Sequence, residues 1–312
     1  MKSQVDLQTT RIAVCVPTRL RAAGLTRALE GIAKQKLPST ELATVRVIVV
    51  DNDPDGSARQ VCDHLRSTLP WPLDYILEPM VGIPYARNCA LKAAMPANDL
   101  IAFIDDDEVP SEEWLVHLLR VWREYSADVV FGPVKPYFPD PVPHWIERGK
   151  FFEREDHPTG TVCNGGATGN VLMSTRMLTQ SSIRFDETHP FGGGSDLFFF
   201  RRAHQAGYRM VWAENAHAVE WIPASRATLR WLLMREFSNG SLIGRQHSIW
   251  HRFRSAANGT ARAIAGASCA LLLFPFGRHR SARALRSASY GLGLMYGATG
   301  KQVEHYRVPR SV

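Results

Sequence analysis

Residues 100–115 read LIAFIDDDEVPSEEWL, five apolar residues that run without a break into Asp105, Asp106 and Asp107. A short continuous apolar run that stops at a turn is the pattern of a strand buried on both faces, as at the centre of a parallel sheet. Three consecutive carboxylates at its end repel one another, because two unit charges about 4 Å apart cost roughly 4 kcal/mol at the effective dielectric of a protein surface. A divalent cation removes that conflict. Hard oxygen ligands select Mg2+ or Mn2+, and these ions keep coordination positions for substrate phosphates. The bland alternative is a solvated acidic turn.

Working outward, residues 11–17 (RIAVCVP), 45–50 (VRVIVV) and 74–77 are further short strands. Between them the spacing predicts helices: Leu25, Leu29 and Ile32 form one stripe before Pro38, residues 57–69 carry Val61 and Leu65 four apart, and residues 84–94 follow a loop at Glu78-Pro79. Downstream, a helix over 114–125 leads into prolines at 133, 136, 139, 141 and 143, read as a crossover into a second half. Strands at 171–173 and 208–212 and helices at 195–206 and 227–237 complete the pattern, with Gly207 closing the first of these two helices. Strands alternating with helices give an α/β fold with a mostly parallel, doubly wound sheet. Ligands bind such sheets beyond the carboxyl ends of the strands, where Thr18, Asp51 and the three aspartates stand.

Composition bounds the function classes. With 312 residues, 45% of them hydrophobic, the chain buries a full core. Its formal charge of +7 would suit a nucleic-acid binder if it were spread over a face, but residues 250–312 hold ten Lys and Arg against the single acid Glu304. The first 249 residues are therefore slightly acidic, which excludes a basic groove along the body. Five cysteines without a C-x-x-C pair support neither a disulfide framework nor a structural zinc, so a reducing cytoplasm is the simplest home. Residues 1–10 are polar and are read as a flexible N-terminus without a secretory signal. Residues 164–170 (NGGATGN) are glycine-rich but lack the Lys-Ser/Thr of a P-loop.

Five motifs in order carry a resemblance: Val16-Pro17-Thr18; VVDN ending at Asn52; Gly82-x-x-x-Ala86-Arg87-Asn88; FIDDDEVPSEEWL from Phe103; and GSDLFFFRRAHQAGYRMVW from Gly194 to Trp212. Together they resemble family 2 glycosyltransferases from about residue 11 to about residue 240, and the run HAVEWIPASR, with Glu220, is similar to a variant found in succinoglycan-type exopolysaccharide enzymes. The resemblance implies a GT-A fold and a nucleotide-diphosphate sugar donor, with a glycan or polyprenyl-linked acceptor. It implies that Pro17, Thr18 and Asp51 hold the nucleoside, and that Arg87 reaches the base or diphosphate. Asp105 and Asp107 would form the metal-binding D-x-D, with Asp106 beside the ribose. Gly169 and Asn170 would line the donor sugar. Asp196 would be the general base of an inverting single displacement. The family usually has Glu-Asp where this chain has Ser195-Asp196, so Ser195 takes the place of an acceptor contact; Glu220, where a histidine is common, would touch metal or acceptor, or pair with Arg226. Taken alone, Thr18 reads equally as a helix cap, Asp51 as an Asx turn, Arg87 as a surface cation and Asp196 as first-turn dipole compensation.

The sequence divides into a catalytic domain at 11–245, with a nucleotide-sugar half (11–125) and an acceptor half (126–245), and a helical segment at 246–312. Residues 263–276 (AIAGASCALLLFPF) are strongly apolar but shorter than the roughly 20 residues that span a bilayer, and Pro275 interrupts them. Followed by Arg278, Arg280, Arg283 and Arg286, they read as a segment on an anionic leaflet, placing the protein at the inner face of the plasma membrane; the alternative is a pair of helices packed on the body. Two other functions fit parts of the pattern: a haloacid-dehalogenase-like phosphatase, whose D-x-D nucleophile motif sits on a first strand, and a non-catalytic nucleotide-sugar or glycan-binding subunit.

Overall fold

The computed structural model describes residues 9–38, 43–95, 97–188, 190–245, 248–301 and 303. Most of the stretch read as a flexible N-terminus, residues 1–8, and the end of the tail lie outside them. The first half alternates as read: β1 (Thr10–Thr18), α1 (Ala22–Ala33), β2 (Ala43–Asp51), α2 (Arg59–Leu65), β3 (Leu73–Leu77), α3 (Ile83–Ala94) and β4 (Leu100–Ile104). There follow β5 (Glu108–Pro110), α4 (Trp114–Glu124), β6 (Val129–Phe131), β7 (Val134–Tyr137), α5 (His144–Gly149), β8 (Asn170–Ser174), α6 (Thr175–Ser181), α7 (Ser195–Gln205), β9 (Met210–Trp212) and β10 (Ala218–Trp221).

Seven strands form one sheet in the order β3-β2-β1-β4-β8-β6-β9. All run one way except β8, which is antiparallel to both β4 and β6. This is the GT-A-like, mostly parallel arrangement. Residues 12–16 of β1 are fully buried, and their alternation serves two layers. Ile12, Val14 and Val16 pack with Leu25 and Leu29 of α1 and with Trp114 and Leu118 of α4. Ala13 and Cys15 face the opposite core of Ala90, Leu91, Phe199 and Phe200, from α3 and α7. Each such buried Val, Leu, Ile or Phe side chain contributes roughly 1.5–3 kcal/mol, which fixes the strand's place between the layers. Register then sets the site: Thr18 pairs with Asp51 at the ends of β1 and β2, and Ile104 ends the neighbouring β4.

A second, three-stranded sheet, β5-β10-β7, is not visible in the sequence pattern. Its strands are three or four residues long and contain Pro110 and Pro136, so they show neither alternation nor an apolar run. Asp107 is joined to it, its carbonyl accepting from the Trp221 amide at 2.9 Å.

Three helices are the last elements among the described residues: α8 (Leu229–Gly244), α9 (Ile249–Leu273) and α10 (Arg278–Ala298). The helix expected at 227–237 is thus longer, capped by Thr228, whose Oγ1 accepts from the Trp231 amide at 3.2 Å. The tail also departs from its reading. Pro275 falls in the 3-10 turn Phe274–Phe276 beyond the end of α9, so it interrupts nothing, and α9 extends upstream of the apolar run at 263–276 to Ile249. Residues Ile249–Phe276 are long and apolar enough to cross a membrane.

Candidate active site

A cavity of about 360 Å³ opens at the carboxyl ends of the strands, lined by Pro17, Thr18, Arg21, Asn52, Arg87, the three aspartates, Glu108, Arg154, Gly193, Gly194, Glu220 and Arg226, among others. The apolar strands that build the core end here because their next residues are polar, and α1 is pressed against the acidic loop. Gly24 of α1 permits that approach: a Cβ there would lie 2.6 Å from the Asp106 carbonyl oxygen.

The three aspartates have different surroundings. Asp106 is 5% exposed; its Oδ2 accepts from Thr18 Oγ1 at 2.8 Å and its Oδ1 from Arg21 Nη1 at 2.8 Å. Asp107 Oδ2 accepts from Arg21 Nη1 at 3.0 Å and from Arg226 Nη2 at 3.1 Å. Asp105 keeps 37% of its side chain accessible, with Arg87 Nη2 at 3.5 Å. It nevertheless sits deep in the concavity, and burial, then the nearby Asp107, Asp196 and Asp106, raise its carboxyl to about 6 against the opposing pull of Arg87. Burial also raises Asp106, and Arg21 works against it. For Arg21 burial favours the neutral form, but Asp106 and Asp107 outweigh it and raise the guanidinium further.

Arg87, on α3 and 7% exposed, bridges from Asp105 to the start of α7. Its Nη1 donates to Ser195 Oγ at 3.1 Å and to Asp196 Oδ1. Asp196 Oδ2 accepts from the Thr168 amide at 3.2 Å and Thr168 Oγ1 at 3.0 Å, and Ser195 Oγ donates to Oδ1 at 3.0 Å. Gly194, at φ +90°, supplies the left-handed turn before the helix that aims this pair. Asp196 does not itself line the cavity; it meets it through Arg87 and through the loop residues Gly193 and Gly194.

Across the cavity the small sheet carries a second charged row. Glu108 and Glu220 are register partners on β5 and β10. Arg226 Nη1 donates to Glu220 Oε1 at 3.2 Å, and Arg154 donates to Glu220 and lies 3.7 Å from Glu108 Oε1. The result is a continuous chain from Asp107 through Arg226, Glu220 and Arg154 to Glu108. Glu108 is 1% exposed, and burial, followed by the charge of Asp105, holds its carboxyl well above the usual range despite Arg154.

Three residues expected at the nucleotide sugar stand elsewhere. Asp51 is fully buried and builds the turn after β2: Oδ1 accepts from the Asp53 amide at 3.1 Å, and Oδ2 from the Ala58 amide at 2.7 Å and Tyr75 OH at 3.0 Å. Its neighbour Asn52 reaches the cavity instead, held by Gly82 N at 2.7 Å and by the Glu78 and Met80 carbonyls. Asn170 is 2% exposed within β8; Oδ1 accepts from Trp114 Nε1 at 2.7 Å, and Nδ2 donates to the Pro133 and Ala216 carbonyls at 3.0 and 2.7 Å. Gly169 packs on Glu108, where a Cβ would come 2.5 Å from Oε1. Neither Asn170 nor Gly169 lines the cavity. Conversely, Arg21, Arg154 and Glu108 form part of the site without having been singled out by any local pattern.

Among the described residues no three His, Cys, Asp or Glu side chains converge as a closed metal cage. Mg2+ at nucleotide sites takes one or two carboxylates, with substrate phosphates and water completing the shell. The donor set here fits that demand, since both guanidinium contacts of Asp107 fall on Oδ2 and Asp105 is accessible.

Comparison with known proteins bears on the same residues. The profile described as "Glycosyl transferase family 2" matches residues 13–182, more than half of the chain. The chain is 33% identical over 301 residues to "Succinoglycan biosynthesis protein ExoM" of Rhizobium meliloti (strain 1021), covering 95% of this chain and 94% of that protein. It is 23% identical over 210 residues to "Glycosyltransferase AglE" of Haloferax volcanii, 65% of this chain and 64% of that one. In fold it is similar to S. aureus TarS 1–349 solved in complex with UDP, at a TM-score of 0.56 and 19% identity, covering 90% and 89% of the two chains. A dehalogenase-like phosphatase would need its motif on the first strand, whereas Asp105 follows the fourth. The order of strands, the aspartates at their ends and the near full-length likeness to a succinoglycan biosynthesis protein agree: this chain belongs to glycosyl transferase family 2, and it is a glycosyltransferase.

Proposed function

We propose that the chain is an inverting transferase that moves a sugar from a UDP-sugar to a hydroxyl of a glycan or polyprenyl-linked acceptor, working at the inner face of the plasma membrane. The observation that carries this reading is the bridge made by Arg87 between Asp105 in the cavity and Asp196 at the start of α7. Uridine as the base draws support from TarS, which is solved with both UDP and UDP-GlcNAc. The acceptor class draws support from the name of the succinoglycan relative.

In this reading Pro17, Thr18 and Asn52 bound the nucleoside end of the cavity, and Asp106 holds Thr18 and Arg21 in place at its wall. Mg2+ or Mn2+ held by Asp107 and Asp105 would supply Lewis-acid stabilisation of the departing diphosphate. Arg21 and Arg226 add fixed positive charge on the same side. Asp196 takes the proton of the acceptor hydroxyl as its oxygen bonds to the anomeric carbon and the carbon–oxygen bond to the diphosphate breaks. One displacement inverts the anomeric centre. Thr168 and Arg87 fix the carboxylate's orientation, and Ser195, beside it, contacts the acceptor. Glu220 acts through its ion pairs with Arg226 and Arg154.

Equilibrium titration with nucleoside diphosphates tests this reading. Uridine diphosphate is expected to bind at least about tenfold more tightly with Mn2+ than without, the equivalent of about 1.4 kcal/mol. Asp107→Ala is expected to abolish that difference. A folded protein that binds no nucleoside diphosphate, with or without metal, would contradict the proposal.

A further inference from the structure

The last three helices form a layered stack whose outermost member has an apolar outer face. α10 is fixed to the body along its whole length: Arg283 Nη2 donates to the Gly149 carbonyl of α5 at 3.0 Å, and Ser289 Oγ to the Leu233 carbonyl of α8 at 2.7 Å. Near its end Gly293 sits on Gly240 of α8, where an added Cβ would come 3.0 Å from the Gly240 Cα. α9 runs antiparallel along the far side of α10. Arg252 Nε donates to the Ala298 carbonyl at 2.6 Å, Ser281 Oγ to the Ala270 carbonyl at 2.9 Å, and Gly259 meets Gly291 between them. The buried side of α9 is therefore its small-residue side, Gly259, Gly266 and Ala270. The opposite stripe is Phe253, Ile264 and Leu271, at spacings of eleven and seven residues that return to one helical face. With Trp250 before it and Phe274 and Phe276 at the tip, these six side chains are between 64% and 79% exposed. Monomeric soluble proteins rarely leave such a contiguous apolar patch open to water.

The charge around the stripe has one sign. Residues 237–303 contain no Asp or Glu, while Arg254, Arg278 and Arg280 are exposed beside the apolar face; Arg262, nine residues from both Phe253 and Leu271, lies on the other side of α9 over the Tyr290 ring. An apolar stripe flanked only by arginines matches an anionic lipid leaflet, which offers acyl chains below and negative headgroups at the level of the guanidinium groups. Although α9 is long enough to cross a bilayer, its geometry opposes crossing: its whole length lies against α10, and α10 lies against α8 and α5. A transverse α9 would have to leave that seam or carry Arg278, Arg280 and Arg283 through the hydrocarbon.

We propose that α9 lies flat in the headgroup region of an anionic membrane through the Phe253–Ile264–Leu271 stripe and the Phe274–Phe276 tip, docking the catalytic body without spanning the bilayer. This deepens, and rests on, the proposed placement at the inner leaflet. Because α8 carries Trp231 and Arg235 at the cavity wall and is packed on α10, docking by this face also sets the cavity at a constant height above the lipid.

The test is co-sedimentation of the full chain with vesicles of phosphatidylcholine alone or with one part in three phosphatidylglycerol, followed by alkaline carbonate washing and by titration with uridine diphosphate. The expected result is binding that needs phosphatidylglycerol, weakens with salt and is released by carbonate. Replacing Phe253, Leu271, Phe274 and Phe276 together by Ser is expected to weaken binding by at least about a hundredfold, since each lost apolar insertion removes roughly a factor of ten. Arg254→Gln and Arg280→Gln are each expected to cost about fivefold on anionic vesicles and nothing on neutral ones. Unchanged nucleotide affinity in these variants would show that the body is intact. Resistance to carbonate would overturn the proposal in favour of a spanning helix. Absence of vesicle binding, with a dimer that the Ser variant dissociates, would overturn it in favour of a second copy on the stripe. Vesicle binding without any nucleotide affinity would sink the proposed catalysis and leave this inference standing.

Discussion

Asp196→Asn is expected to lower kcat by about 10²–10⁴-fold, the range that a positioned general base contributes, while leaving the affinity for nucleoside diphosphate unchanged. The amide oxygen can keep the position to which Arg87 donates, while the amide nitrogen faces Thr168, whose hydroxyl can accept from it instead of donating, so the bridge to Asp105 persists. What is lost is the capacity to accept a proton as the acceptor oxygen attacks. Steady-state kinetics with a competent acceptor, paired with calorimetry on the nucleotide, separates the two effects. Equal losses in kcat and in nucleotide affinity would instead assign Asp196 to holding Arg87, and with it the donor.

Asn170→Ala is expected to destabilise the fold by at least about 3 kcal/mol, because three buried partners lose their bonds at roughly 1–3 kcal/mol each. Those partners are the Trp114 indole N–H, wholly enclosed beneath α4, and the Pro133 and Ala216 carbonyls. The Pro133 carbonyl keeps its bond from the Ala218 amide at 3.0 Å, whereas the indole N–H and the Ala216 carbonyl lose the partner they have here. Urea denaturation measures the loss, and the protein still folded is expected to bind nucleotide normally. A variant of undiminished stability that has lost discrimination among donor sugars would return Asn170 to the role its motif implied.

That contrast shows what the sequence makes legible. A strand that is apolar at every position and then stops, as residues 100–104 do before Asp105, declares both its burial and its functional end. The alignment of Thr18 with the aspartates follows from the same rule, and so does the GT-A-like sheet. Asp51 and Asn170 stand outside the cavity, and the sequence could not show it for one physical reason: a polar residue at a strand end binds a ligand or satisfies buried backbone, and only its neighbours in space tell which. Arg21 and Arg154 could not be picked out because a guanidinium in an irregular loop leaves no periodic mark, and their carboxylate partners are distant in sequence or on strands too short to recognise; Arg226 was legible as a partner of Glu220 but not of Asp107. The small sheet stayed hidden behind its prolines, and with it the pairing of Glu108 with Glu220. In the tail, composition showed the apolar and basic character, but proline position alone misjudged the helix. Pro275 terminates α9 instead of breaking it, and the stripe begins a dozen residues earlier than the densest apolar run suggests.

The most direct measurement is release of nucleoside diphosphate from a panel of nucleotide sugars by the purified chain, with and without Mn2+ or Mg2+, beside Asp107→Ala. Slow transfer of sugar to water needs no acceptor, so the donor half of the reaction reports by itself. The expected result is turnover of a uridine-linked sugar that requires the metal and disappears in Asp107→Ala. Turnover that proceeds equally in chelator and in Asp107→Ala would contradict the metal-assisted D-x-D site, and hydrolysis of simple phosphate esters in place of any nucleotide sugar would contradict glycosyl transfer itself.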